Sequence, residues 1–466
     1  MTPVTALQPT VRLAFDPELV RKYDVFGPRY TSYPTADRFH GGFRAGDYVR
    51  SLATREASLP LSLYVHLPFC STICYYCACN KVITKDHGRS AKYIRYLGRE
   101  ISMVAALIEG GPRVEQLHWG GGTPTFLAPE EMKELMAMLR GAFAFAPQAE
   151  LSIEVDPRKV DASTIALLAE LGFNRISVGV QDFDPKVQQA VNRLQSESET
   201  RAVIDAARDH GFRSVNVDLI YGLPRQTVDA FATTLDKVLV SAPDRIALYS
   251  YAHVPHLFKP QRRIAVDELP ASEVKLAILA RAIEILGAAG YVYIGMDHFA
   301  LPTDELAIAQ RTGLLHRNFQ GYSARPECDL VACGISAIGK IGSAYVQNVR
   351  TLEDYYARLD EGVVPVLRGV ALDADDLVRR DVIQRLMCRF ALDFGAIEAA
   401  HHIRFDQYFA RELEALTALA ADGLVESVER GFVVTQRGRF LVRSVAMVFD
   451  RYLSEQGDRA RYSRVI

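Results

Sequence analysis

No stretch of about 18 apolar residues runs free of charge, so no segment reads as a membrane-spanning helix. The opening MTPVTALQPTVRLAFDPELV lacks a basic start followed by a continuous apolar core, and no signal peptide is read there. A cytoplasmic location is therefore expected. Charge of one sign is not in surplus either. The formal net charge of -2 gives no electrostatic case for nucleic acid or an anionic membrane as the main partner. Two nucleotide fingerprints are missing, the Gly-Lys-Ser/Thr of a phosphate-binding loop and GxGxxG. There is no internal repeat and no low-complexity tract. Cysteine is scarce, seven in 466 residues, which excludes a disulfide framework and points to a reducing compartment. What remains is an ordinary globular composition, 49% hydrophobic and 24% charged, long enough for one large domain and a smaller one.

Four of the seven cysteines fall together in CSTICYYCACN: Cys70, Cys74, Cys77 and Cys79. A zinc site favours two separated CxxC or CxxC/His pairs, and no second pair follows. Ferredoxin-type carriers use CxxCxxC with a further distant cysteine, which this chain does not match. The first three have the spacing CxxxCxxC, which resembles that of the radical S-adenosylmethionine (SAM) enzymes. Three thiolates hold three irons of a cubic cluster and leave the fourth open to a small molecule. The spacing favours this open cluster, with zinc as the alternative. Cys328, Cys333 and Cys388 lie in apolar stretches and are expected to be buried, inert thiols.

From residue 61 apolar, β-rich runs alternate with amphipathic ones. The strand candidates are 61–67, 115–120, 150–155, 175–180, 214–221, 245–251 and 291–296. The helical stretches are 90–109, 129–142, 162–171, 197–210, 227–241 and 271–289. Continuous apolar strands joined by helices predict a parallel sheet covered by helices. The fold class expected is α/β, a partial (β/α)6-type TIM barrel, with an N-terminal arm and a smaller, mainly helical, winged-helix-like C-terminal domain. The expected division is an arm over 1–35, a catalytic barrel over 36–355 and a helical lid over 356–466. The arm reads as loosely structured. In the last part, helices over 373–391, 404–422 and 437–450 surround a hairpin in VESVERGFVVTQRG. Such modules often bind DNA, but without a basic surplus a lid or packing role is favoured.

Each of the first six strands ends in a polar motif: HLPFC, GGGTPT, EVDP, VQDF, DLIYGLP and YSYAHVP. In parallel barrels these ends converge on the active site. GGGTPT (120–125) is either a tight turn or a cradle of backbone amides for an anionic or zwitterionic ligand. Glu154 and Asp218 end apolar strands, where an unpaired carboxylate is costly, so they should face a polar ligand or a cation. Gln181 and Arg193 are weaker signals, and the default for Arg193 is a surface residue. His66, His118, His253 and His298 read as structural, and none is nominated as a metal ligand.

The ordered set CSTICYYCACN, QLHWGGGTPTFL, SIEVDPR, RISVGVQDF, VNVDLIYGLP, YAHVP, GMDHFA and LHRNFQGY resembles the oxygen-independent coproporphyrinogen III oxidases, radical SAM enzymes of haem biosynthesis. The resemblance runs from PRYTSYPTA to the terminal YSRVI. The CxC after the third ligand, RNFQGY and PRYTSYPTA are its most selective parts. It implies that Cys70, Cys74 and Cys77 ligate a [4Fe–4S] cluster whose open iron chelates SAM. Reductive cleavage of SAM then gives a 5′-deoxyadenosyl radical that takes hydrogen from the β-carbon of a propionate. Loss of carbon dioxide and one further electron leaves a vinyl group. Two such events convert coproporphyrinogen III to protoporphyrinogen IX.

The resemblance further implies two SAM molecules. Tyr64, Gly121, Glu154 and Ile338 would contact the cluster-bound one, and Tyr76, Gly122, Thr123, Gln181, Arg193, Asp218 and Ala252 the second. Position 76, where the family often has Phe, is Tyr here. Cys79 is not needed for the cluster, and its role stays open. Arg29 and Arg317 are the candidates for the propionates, with ordinary salt bridges as the competing reading. A flavodoxin- or ferredoxin-type reductant and a monomer are expected. Rival functions are a haem chaperone, a haem-degrading methyltransferase and a plain electron carrier. The chaperone relatives lack both the fourth cysteine and the arm.

Overall fold

The computed structural model describes residues 15–325 and 327–455. They form two compact units, each discontinuous in sequence: residues 38–278 with 327–371, and residues 15–37 with 279–325 and 372–455. Residues 279–325, which the linear division placed inside 36–355, belong to the second unit. The terminal YSRVI and the first fourteen residues of the arm lie outside the described residues.

The first unit carries β1 (Leu61–Leu67), β2 (Arg113–Gly121), β3 (Ala144–Val155), β4 (Arg175–Gln181), β5 (Ser214–Tyr221) and β6 (Arg245–Ser250). Four more strands follow late in the sequence: β7 (Asp329–Cys333), β8 (Ile338–Ile341), β9 (Ala344–Asn348) and β10 (Val366–Ala371). Within this unit the order is β10-β9-β8-β7-β1-β2-β3-β4-β5-β6. From β7 to β6 every pairing is parallel, whereas β7 to β10 form an antiparallel extension. The six predicted βα strands thus stand side by side in chain order, as an open partial barrel requires.

The crossovers include α1 (His87–Ala106), α2 (Pro129–Ala142), α3 (Ala162–Glu170), α4 (Glu197–Asp209) and α5 (Val228–Val240). Local chemistry fixes where they start. Ser196 and Glu199 form a reciprocal capping box at α4, at 3.1 and 2.9 Å. Asp161 accepts the Thr164 N–H at 2.8 Å below α3, and Thr227 accepts that of Ala230 at 3.2 Å below α5. Along α1, Tyr93, Ile94, Leu97, Ile101 and Val104 recur at helical spacing and are all buried. Truncating a residue such as Leu97 to Ala would cost about 2–5 kcal/mol. Trp119 on β2 is fully buried, its ring edge-on to Phe173 at 4.9 Å.

Three strand expectations need correction. The candidate at 291–296 is a strand, Val292–Gly295, but it pairs antiparallel with His298–Ala300 instead of continuing the parallel pattern. The seventh parallel strand is instead β7, too short to stand out in the sequence. β3 begins at Ala144, six residues early, with a register shift against β2 across the segment that contains Pro147.

In the second unit the described part of the arm is not loose. Asp16 caps a helix over Pro17–Tyr23, and Leu19, Val20, Tyr30 and Tyr33 are buried. Helix Ala374–Arg389 follows expectation, but the stretch 404–422 breaks at Phe409 into Phe405–Tyr408 and Ala410–Ala421. The break turns Phe405 and Phe409 into a fully buried cluster with Phe449, at ring-centre distances of 6.4 and 5.3 Å. The wing gains a third strand, Ala391–Asp393, beside Gly431–Val434 and Val425–Val428. The last predicted helix shortens to Val442–Met447.

Candidate active site

The cysteine loop leaves the end of β1. Phe69 and Cys70 pair in parallel with Val82 and Ile83, so residues 71–81 form a closed excursion. Its backbone is clamped from several sides. The Tyr75 N–H donates to the Val191 carbonyl at 2.9 Å, and the Asn192 amide donates to that of Ile73 at 2.7 Å. Gln261 bridges the carbonyls of Tyr76 and Ala252, both at 3.1 Å. Lys81 donates to the carbonyls of Cys77 and Cys79 at 3.1 and 3.2 Å. Such anchoring holds three thiols in place without a regular element beneath them.

Cys70, Cys74 and Cys77 are half-buried, and Cys79 is exposed. The Cys70 sulfur lies 3.5 Å from the Thr123 hydroxyl. Arg158 and Arg193 point at the Cys74 sulfur, at 3.7 and 3.6 Å, and both are held by Asp156. A hydrogen bond from the Cys79 thiol, aided by the Lys81 charge, pulls the Cys77 thiol down to about 6. Burial instead pushes Cys70 up to about 11. Among the described residues no three or more His, Cys, Asp or Glu side chains gather closely enough to hold one metal ion. Three thiols on one loop, with the buried Arg193 and the half-buried Arg158 to balance their charge, fit a multi-iron anionic group. The Nε of Arg193, buried without a hydrogen-bond partner, leaves a donor in reserve.

The glycine triplet runs directly beneath. Gly121 has φ +115°, and a Cβ there would come within 2.5 Å of the His66 ring. A Cβ on Gly122 would lie 2.6 Å from the Pro68 carbonyl carbon. Only glycine allows this loop to lie against the cysteine loop, with Gly122 and Thr123 N–H groups donating to Leu67 and Phe69 at 2.8 Å. Glu154 accepts the Gly121 N–H at 3.0 Å and faces His118 at 3.4 Å. Its surroundings raise its pKa, but His118 and the Gly121 amide outweigh them and hold it below the usual range. His118 is itself fixed by Ser152 at 2.6 Å and by stacking on Tyr64 at 5.9 Å. The Tyr64 hydroxyl meets His66 at 3.0 Å, and the other nitrogen of His66 meets the Asn80 carbonyl at 2.9 Å.

On the next two strands Asp218 accepts from Ser177 at 2.8 Å and from Asn216 at 2.9 Å. Burial pushes Asp218 up to about 6. Gln181, at φ +68°, ends β4 in the left-handed region. Arg193 is no surface residue: it is 6% exposed and donates to the Gly179 carbonyl at 2.5 Å. Tyr76 packs against Val187, Val191, Leu223, Tyr251 and Ile264, giving an apolar wall beside the polar strand ends.

A sequence profile of the radical SAM superfamily matches residues 64–238, and one of the HemN C-terminal domain matches residues 372–441. The oxygen-independent coproporphyrinogen III oxidase of Pseudomonas aeruginosa is 54% identical over 97% of this chain and 99% of its own. That of Escherichia coli is 48% identical over 98% and 99%. A solved structure of coproporphyrinogen III oxidase from Escherichia coli, a radical SAM enzyme, superposes with a TM-score of 0.91. It is 46% identical and covers 95% of this chain and 100% of its own. The chain belongs to the oxygen-independent coproporphyrinogen III oxidases.

Membership in this radical SAM family brings a [4Fe–4S] cluster and SAM as cofactors. Of the residues singled out in the sequence, Tyr64, Cys70, Cys74, Tyr76, Cys77, Gly121, Gly122, Thr123, Glu154, Gln181, Arg193, Asp218 and Ala252 meet at the loop and the β1–β6 ends. Ile338 opens β8, just after the turn at Gly334, where a Cβ would come within 2.7 Å of the His66 carbonyl oxygen. Arg29 and Arg317 belong to the second unit. Arg29 pairs with Asp297, and Arg317 lies over the Tyr322 ring. Cys333 and Cys388 are buried as expected, whereas Cys328 is only half-buried.

Sequence reasoning missed Ser152, Asp156, Arg158, Ser177, Asn216 and Gln261. For Ser177 and Asn216 a signal existed: polar residues interrupt otherwise apolar parallel strands, and their register places them side by side.

Proposed function

We propose that this chain carries out the oxygen-independent oxidative decarboxylation of two propionates of coproporphyrinogen III, giving the vinyl groups of protoporphyrinogen IX in haem biosynthesis. In this reading Cys70, Cys74 and Cys77 hold the cluster, and Cys79 tunes the loop without ligating. When bound, the cluster supplies the electron for reductive cleavage of SAM. Tyr64, Gly121, Glu154 and Ile338 hold the cluster-bound SAM. Glu154, fixed by His118 and open on one side, offers acceptors to its hydroxyl or ammonium groups. Tyr76, Gly122, Thr123, Gln181, Arg193, Asp218 and Ala252 would hold a second SAM, and the apolar wall under Tyr76 would offer it a surface for stacking. Arg29 and Arg317 serve the substrate propionates. The arm (1–35) and the C-terminal helices (356–466) serve to exclude water from the radical during turnover. A flavodoxin- or ferredoxin-type protein donates the electron to a cytoplasmic monomer. Among the described residues no helix is long and apolar enough to cross a membrane.

The observation that carries this reading is the loop itself. Three thiols, two of them within reach of Arg or Thr donors, stand beside a glycine triplet that only glycine can form. The test is an anaerobic assay with coproporphyrinogen III, SAM and a reductant, on wild type and Cys70→Ser. Wild type is expected to release methionine and two carbon dioxides per protoporphyrinogen IX, and Cys70→Ser none. Stoichiometric haem binding without turnover would support a chaperone instead, and cluster reduction without SAM cleavage a plain electron carrier.

A further inference from the structure

The two arginines offered for the propionates are not equivalent. Arg29 is already neutralised by its ion pair with Asp297 and is partly open to solvent, its side chain 36% exposed. Arg317 is 5% exposed, and its Nε and Nη1 have no hydrogen-bond partner. No carboxylate pairs with it among the described residues. Its guanidinium lies 4.7 Å from the centre of the Tyr322 ring, directly opposite it in the short hairpin of His316–Asn318 and Gly321–Ser323. The backbone beneath is fixed, because Gln384 donates to the Arg317 carbonyl at 2.5 Å and Tyr322 donates to that of Met387 at 2.9 Å. A guanidinium cannot shed its proton to escape burial. A desolvated cation with unsatisfied N–H groups is a standing cost unless an anion arrives.

We propose that Arg317 is the buried receptor for one carboxylate of the substrate, and that Arg443 is a positioning residue that keeps the neighbouring chain, and so Arg29, in place. Arg443 is 2% exposed and donates to the carbonyls of Pro28, at 3.0 Å, and Gly27. These two residues lead directly into Arg29. Burial above all, with repulsion from Arg29 and Arg317, drives Arg443 down to about 9. Arg443 thus holds the backbone that leads into Arg29, whose own guanidinium is paired with Asp297. The unsatisfied N–H groups of Arg317 suit a planar carboxylate, and Tyr322 provides an aromatic floor for the cation that receives it.

The choice of a propionate as that carboxylate rests on the function proposed above. The test uses the full chain with its cluster and compares Arg317→Met, Arg317→Lys and Arg29→Met. Arg317→Met is expected to raise KM for coproporphyrinogen III at least tenfold, with iron and sulfide content and thermal midpoint as in wild type. Arg317→Lys should recover part of the loss, and Arg29→Met should change KM less than Arg317→Met does. The tetramethyl ester of coproporphyrin III should bind wild type and Arg317→Met alike. A KM within twofold of wild type, or an equal loss for acid and ester, would overturn the proposal. If wild type forms no vinyl product, the functional reading fails by itself. Equilibrium binding of coproporphyrin III then decides the carboxylate site: tenfold weaker binding by Arg317→Met supports it, and equal binding overturns it.

Discussion

Glu100 carries a carboxyl into the interior of the barrel unit at 2% exposure, where it meets Tyr355 at 2.5 Å, Asn348 at 2.6 Å and the Gly334 N–H at 2.7 Å. It thereby ties α1 to the turn before β8. Burial raises its pKa to about 7, only partly offset by those three donors. The folded protein then holds this proton more tightly than the unfolded chain, so the group's contribution is greatest at low pH and is lost as pH rises through 7. Relative to Glu100→Gln, wild type should lose about 3 kcal/mol between pH 4.5 and pH 8. Urea unfolding of both proteins at pH 5 and pH 8 measures this, and a pH-independent gap would contradict it. Asp218 offers a second residue-scale prediction. Its carboxyl is raised to about 6 by burial, and under the function proposed above its ionised form receives a SAM hydroxyl or ammonium group. SAM affinity should rise severalfold between pH 5 and 7 in wild type and stay flat in Asp218→Asn, as read by equilibrium dialysis. At this scale the sequence was legible where one residue type has one use. Cysteine spacing and strand-end carboxylates could be read directly. Arg193 could not, because what buries it is Asp156 and the Gly179 carbonyl, and neither is adjacent in sequence.

At the scale of elements, the parallel strands declared themselves because strands covered on both faces are almost wholly apolar. β1 and β5 have the predicted limits, and α2 does as well. β7 was hidden by its five-residue length, and the antiparallel pairing of the strand over 292–295 left no mark in its residues, because they are buried like those of the parallel strands. The break at Phe409 had no local signal, since no glycine or proline marks it. It accompanies the packing of Phe405, Phe409 and Phe449 against one another. The glycine triplet gives the sharpest test of element geometry. Gly121→Ala places a methyl against His66 at a φ of +115° that alanine rarely adopts. Strain of this kind costs of order 1–3 kcal/mol. The variant should keep its iron and sulfide yet bind SAM at least tenfold more weakly, by equilibrium dialysis. Unchanged SAM affinity would mean that the triplet is only a turn.

For the whole molecule, the arm and the cysteine loop belong to different compact units, and this makes their roles separable. Residues 15–35 bury Tyr30 and Tyr33 in the second unit, where the Tyr30 hydroxyl donates to Asp450 at 3.0 Å and the Tyr33 hydroxyl accepts the Arg451 N–H at 3.2 Å. Deleting residues 1–35 should therefore abolish turnover and lower the thermal midpoint, while iron and sulfide per chain remain as in wild type. Full activity of the truncated protein would contradict a role for the arm. The most direct test of the account is low-temperature electron paramagnetic resonance and Mössbauer spectroscopy of anaerobically reconstituted protein, with and without SAM. The account predicts a cubic cluster in which one iron is distinct and changes its signature when SAM is added. Four irons indifferent to SAM, or zinc in place of iron, would contradict it.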